Sequence, residues 1–136
     1  MEIWHITPWI EVDLILRLIA ATLLSALIGY ERERAEKPAG FRTHTLVGMG
    51  AALFTIASLY GFGGLGDPAR VAAGIVVGVG FLGAGTILHR EKNIVGLTTA
   101  ASIWIAAAIG LTMGAGLYMI SLVAAAIVLV VLRLPR

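Results

Sequence analysis

Asp13 and Arg17 stand four residues apart inside an apolar run, the spacing at which a helix lets an acid and a base pair. A lone charge at the centre of a membrane helix carries an insertion penalty of about 2.5–3.5 kcal/mol, and pairing or proximity to the bilayer surface reduces it. Structural pairing or snorkelling accounts for these two residues, and a functional polar cluster accounts for them as well. Asp67 and Arg70 present the same choice further along, where Asp67-Pro68 also reads as a helix start: a capping carboxylate followed by a proline in the first turn.

A denser polar block runs from Glu31 to His44 and holds seven charges. Glu33 precedes Lys37 by four residues and Arg32 precedes Glu36 by four, which suits ion pairs along a short interfacial helix that Pro38 and Gly40 then break. Arg42, Thr43, His44 and Thr45 open the next apolar run, where free helix amides could hold an anion or a headgroup phosphate. Glu31 and Glu33, Arg42 and His44, and the later His89-Arg90-Glu91 form three connected elements able to share a pocket, with a solvated charged turn as the plainer reading. Thr98 or Thr99 is placed to start a further helix, and Ser102 lies one turn beyond Thr98.

These residues do not assemble an evident catalyst. Cysteine is absent, which removes thiolate chemistry, disulfides and cysteine metal sites. Three scattered histidines make no zinc pattern. Magnesium favours oxygen ligands, and Glu31, Glu33, Asp67 and Glu91 have the right chemistry, but the expected topology sends Asp67 to the opposite side from the others, so the metal ligands stay unknown. Neither Ser58 nor Ser102 sits in a nucleophile elbow, and the Gly78–Gly85 region lacks the lysine of a phosphate loop. The expectation is a protein that is not an enzyme and carries no cofactor.

The elements that must position these groups are membrane helices. Apolar residues make up 59% of the 136-residue chain and charged ones 13%, too few to cover a soluble surface. Lipid-exposed backbone must satisfy its own hydrogen bonds, and the sequence lacks the alternation of a membrane barrel. The expected fold is all-α: a polytopic, compact bundle of five transmembrane helices with glycine-rich packing, in a single domain over 1–136. The spans fall near 12–30, 43–60, 69–88, 97–111 and 115–132, with Gly110–Gly116 turning the chain between the last two. Basic residues mark the first and third loops and the C-terminus, at Arg133 and Arg136. With five spans these lie on one side, which the positive-inside rule makes cytoplasmic, leaving the N-terminus outside; four spans would send Arg133 outward. Met1–Trp4 lacks the basic start of a signal peptide, so no cleavage is expected. The net charge of +2 is too small and dispersed for a nucleic-acid surface, and none is expected as a partner.

Seventeen glycines exceed what loops need. Gly74 and Gly78 stand four apart in the third run, followed by Gly80, Gly83 and Gly85, and small residues at this spacing let membrane helices approach closely. The third helix is therefore expected at the centre of the bundle, with Gly78→Leu disrupting it. Gly110 and Gly114 extend the pattern.

Three ordered blocks closely resemble the MgtC/SapB membrane protein family. They are Gly29-Tyr30-Glu31-Arg32-Glu33-Arg34 with Lys37-Pro38-Ala39-Gly40-Phe41-Arg42-Thr43-His44-Thr45-Leu46-Val47; Asp67–Arg70 through Gly80–Ile87; and Gly96–Trp104. Asp13 matches the family's acidic position in its first helix. The resemblance implies a multi-pass protein of the prokaryotic plasma (inner) membrane, associated in characterised relatives with magnesium limitation, acid stress and survival in phagosomes. Some relatives are understood as regulators that bind membrane partners such as the ATP synthase. Many append a soluble ACT-like domain, whereas this sequence ends just past its last apolar run, so the match is to the N-terminal transmembrane domain. Gly74 stands where relatives often carry glutamine. The expected function is non-enzymatic regulation of ion (magnesium) or stress homeostasis; the alternative is a small ion channel or transporter. Expected partners are the lipid bilayer, a membrane protein, a second copy in a homodimer, and magnesium.

Overall fold

The structure, a computed structural model, describes residues 7–135 apart from the side chains of His89 and Arg90. Five helices follow one another: α1 (Pro8–Arg34), α2 (Phe41–Tyr60), α3 (Pro68–Ala84), α4 (Leu97–Gly114) and α5 (Tyr118–Arg133). A short antiparallel hairpin, β1 (Leu88–Arg90) with β2 (Asn93–Val95), separates α3 from α4. The expected third span, to residue 88, ran into the first residue of this hairpin. The helix stops earlier because Gly85 closes it and Thr86 turns back, its hydroxyl bonding to the Gly83 carbonyl at 2.7 Å.

Three helices, α1, α2 and α4, are long and apolar enough to cross a membrane. The other two are apolar but shorter, with 17 residues in α3 and 16 in α5. At about 1.5 Å per residue, such helices reach roughly 25 Å against a hydrocarbon core of about 30 Å. Their outward faces are nonetheless apolar, with Val77, Phe81, Val123 and Val130 all exposed.

Local chemistry accounts for the ends. Pro8 and Pro68 begin α1 and α3 where no backbone donor is lost. The Asp67 carboxylate accepts from the Ala69 amide at 3.0 Å, capping α3 as the Asp-Pro pair implies. Arg32 and Arg34 end α1 on the side its dipole favours. Glu36 then turns the chain with φ +54, so Lys37 is no longer on a helix. The Glu33–Lys37 and Arg32–Glu36 spacing therefore has no helix to act on, and neither pair is found among the described residues. Between α4 and α5 the chain turns through Gly116 at φ +86, within the glycine segment expected to do so.

The centre of the bundle is α4, packed against α1 and α2, which also pack on each other; this corrects the expectation for α3. Nine residues of α4 are buried and only Ile75 and Gly83 of α3. A Cβ on Gly110 would run into the Gly48 carbonyl, and one on Gly114 would lie 2.8 Å from the Ala52 oxygen, so backbones of α2 and α4 touch directly. Gly29 similarly lies under Phe41, where a Cβ would be 2.8 Å from the Phe41 Cα. By contrast, a Cβ on Gly74, Gly78 or Gly80 would meet nothing within 4 Å. These three open onto the outer face of α3 and a groove against α2 of about 560 Å³, floored by Gly50, Gly74 and Gly78. Gly83 alone of the five packs against another helix, facing Ala100, while Gly85 is the C-cap.

Candidate functional site

Alternating helices bring polar groups together at the two ends of the bundle. Fifteen residues of α1 separate Arg17 from Arg32, about 22 Å along its axis.

At the first end, Asp13 and Arg17 form the ion pair their spacing allows, 2.6 Å between Nη2 and Oδ2. What the spacing does not reveal is Tyr118, at the start of α5. Its hydroxyl donates to Asp13 Oδ1 at 2.5 Å and accepts from Arg17 Nε at 3.0 Å. Arg17 Nη1 donates to the Gly114 carbonyl at 3.1 Å, satisfying a group that the end of α4 leaves free. Its guanidinium also lies 5.7 Å from the Tyr60 ring centre and 5.5 Å from that of Tyr118. Arg17 thus ties α1 to the ends of α2, α4 and α5. Both Asp13 oxygens are engaged, Oδ2 by Arg17 and Oδ1 by Tyr118. Asp67 and Arg70 are exposed and make no contact with the cluster among the described residues. The only advance signal for Tyr60 and Tyr118 was their position at the ends of apolar runs, where amphipathic rings concentrate.

At the second end the groups are buried. Arg32 is 3% exposed and pairs with its neighbour Glu31, Nε to Oε2, at 2.8 Å. His44 is fully buried, and its Nδ1 donates to the Gly40 carbonyl at 2.9 Å. The Ser102 hydroxyl lies 2.9 Å from His44 Nε2 and 2.7 Å from the Thr99 carbonyl, so its single proton serves either acceptor. This bond joins the first turn of α2 to the second turn of α4. Sequence spacing pointed to Thr98 as the partner level for Ser102; the burial shows Thr99 instead, with Thr98 exposed. Neither threonine is the cap, because α4 starts from Gly96. Glu33, Arg42 and Thr43 are exposed and join no ion pair or side-chain hydrogen bond among the described residues. The side chains of His89 and Arg90, expected in a shared pocket here, lie outside the described residues, as does Arg136. Among the described residues, no three His, Asp or Glu groups converge as a metal site.

The arrangement defines an all-helical membrane protein whose polar groups cross-link helices at each end of a small-residue core. The chain belongs to the MgtC family, whose sequence pattern matches residues 18–136. It is 51% identical over 129 residues to YhiD of Escherichia coli (strain K12), named provisionally as a magnesium transporter, covering 89% of this chain and 60% of that protein. It is 47% identical over 115 residues to Protein MgtC of Salmonella typhimurium (strain LT2), covering 85% and 49%, and 43% identical over 120 residues to Protein SrpB of Synechococcus elongatus, covering 79% and 66%. The chain thus spans about half to two thirds of the length of these relatives. No solved structure matches it.

Proposed function

We propose that this protein is a non-enzymatic membrane regulator of magnesium or stress homeostasis, acting through a membrane-protein partner. The observation that carries this reading is the closure of the core: α2 and α4 meet backbone to backbone at Gly48 and Gly110 and again at Ala52 and Gly114. These contacts leave no room for a conduction path between α2 and α4 within one copy. Arg17 ties α1 to the ends of α2, α4 and α5, and His44 ties α2 to α4, which suits a rigid scaffold presenting a surface to a partner. All five helices span a prokaryotic plasma membrane in this reading, α3 and α5 by local thinning of the bilayer, with the N-terminus outside and the C-terminus in the cytoplasm.

The second reading is an ion channel or transporter, favoured by the name of the Escherichia coli relative and by ionisable residues at membrane depth. Flux of magnesium into sealed liposomes holding the purified protein separates the two, with Asp13→Asn and protein-free vesicles in parallel. The regulator reading expects no flux above protein-free vesicles. Selective magnesium flux that Asp13→Asn abolishes, with the variant folded and inserted, would replace it with conduction.

A further inference from the structure

The start of α4 has no side-chain cap, as is true of α1, α2 and α5, but here the backbone itself excludes one. Its N-cap is Gly96, held at φ +96, and a Cβ there would collide with the Thr86 carbonyl. Any residue able to cap the helix is therefore excluded by the turn after α3, which packs on it. The amides of Leu97, Thr98 and Thr99 have no acceptor among the described residues, the first bonded amide being that of Ala100, which donates to Gly96 at 2.9 Å.

Thr99 supplies the independent sign. It is 2% exposed, yet its hydroxyl makes no hydrogen bond among the described residues. The threonines inside helices behave differently: Thr22, Thr45, Thr55 and Thr112 each donate to the carbonyl four residues back. Thr99 has no such carbonyl, because four residues back lies Val95 in strand β2. Its side chain instead lines a pocket of about 310 Å³ between the hairpin, the start of α4 and the loop after α1. Lys37 and Pro38 form the facing wall, and Thr98 lies beside Thr99. Lys37 is half-buried and in no ion pair among the described residues.

The polar side chains on this lining are two hydroxyls and an ammonium, beside the amides at a positive helix end. Among the described residues no carboxylate lines it. We infer that the pocket at the start of α4 binds a phosphate group, held by the free amides of α4, the Thr98 and Thr99 hydroxyls and Lys37. The volume is several times the ~30 Å³ share of a water molecule, enough for a phosphate with an ester substituent. The site opens at the end of a helix able to cross the bilayer, beside the exposed apolar side chains of Ile94 and Leu97. A lipid headgroup and a soluble phosphate present the same chemistry there. The inference holds whether the protein regulates or conducts.

Thermal unfolding of the whole chain in phosphate-free maltoside detergent tests it, because a ligand bound only by the folded state raises the midpoint. One arm adds inorganic phosphate against chloride at equal ionic strength; the other adds phosphatidylglycerol against a phosphorus-free galactolipid. Thr99→Val keeps the side-chain volume and removes a hydroxyl without a partner, so the variant is expected to fold; Lys37→Gln changes a loop. A midpoint raised by phosphatidylglycerol alone identifies a headgroup site, and one raised by inorganic phosphate identifies a soluble ligand. In either case each substitution is expected to weaken the apparent affinity about tenfold. No rise in either arm, or a rise that either variant retains in full, overturns the inference.

Discussion

Gly74 and Gly78 of α3 and Gly110 and Gly114 of α4 have the same spacing and opposite surroundings. Gly110 and Gly114 stand one turn apart and lie against the backbone of α2. Gly74 and Gly78 also stand one turn apart and face open space, exposed beside Val77 and Phe81. A small-residue stripe therefore marks a surface able to accept a close neighbour, without saying whether this chain supplies one. In α4 the neighbour is internal. In α3 the face is left to lipid, to a partner or to a second copy.

Substitutions test this contrast in descending order. Gly110→Leu asks a side chain to occupy the position of the Gly48 carbonyl, so loss of more than about 4 kcal/mol or failure to fold is expected, read by thermal unfolding in detergent. A variant as stable as the parent would remove the case for a backbone contact there. Gly114→Ala, with its new Cβ 2.8 Å from the Ala52 oxygen, should lose about 1–3 kcal/mol in the same assay. His44→Ala severs the tie to Ser102 and Gly40 inside the same core and should lose a similar amount or more, about 2–5 kcal/mol including the cavity left behind.

Tyr118→Phe, at the half-exposed Asp13–Arg17 cluster, should change stability by no more than about 1 kcal/mol. The smallest effect is expected from Gly78→Ala, within about 0.5 kcal/mol of the parent or slightly above it, since it fills open space and favours the helix. A loss as large as that of Gly114→Ala would mean that the α3 face is covered in the assembled protein. Crosslinking the parent and the more disruptive Gly78→Leu would then tell a second copy from lipid.

Much of this was legible along the chain because it depends on near neighbours. Asp13 and Arg17 pair across one helical turn, Asp67-Pro68 starts α3, and the Gly110–Gly116 segment turns between α4 and α5. Groups separated by a hundred residues were not legible: nothing near Tyr118 in sequence points to Asp13, and nothing near His44 points to Ser102. The Glu33–Lys37 spacing misled because the helix it assumed ends at Arg34.

The sequence by itself determined that the chain is helical and lipid-compatible, since its apolar excess has no soluble solution and its backbone must bond internally. It also carried the family blocks and the ends of most helices, which follow from proline, glycine and charge acting within a turn. Only the tertiary structure decided which glycine stripe is core and which is surface. It also decided that Arg17 gathers three helix ends and that the turn after α3 strips the cap from α4. Each of those depends on which backbones come within a few ångströms of each other, and a repeating pattern of small residues is the same on a buried face and on an open one.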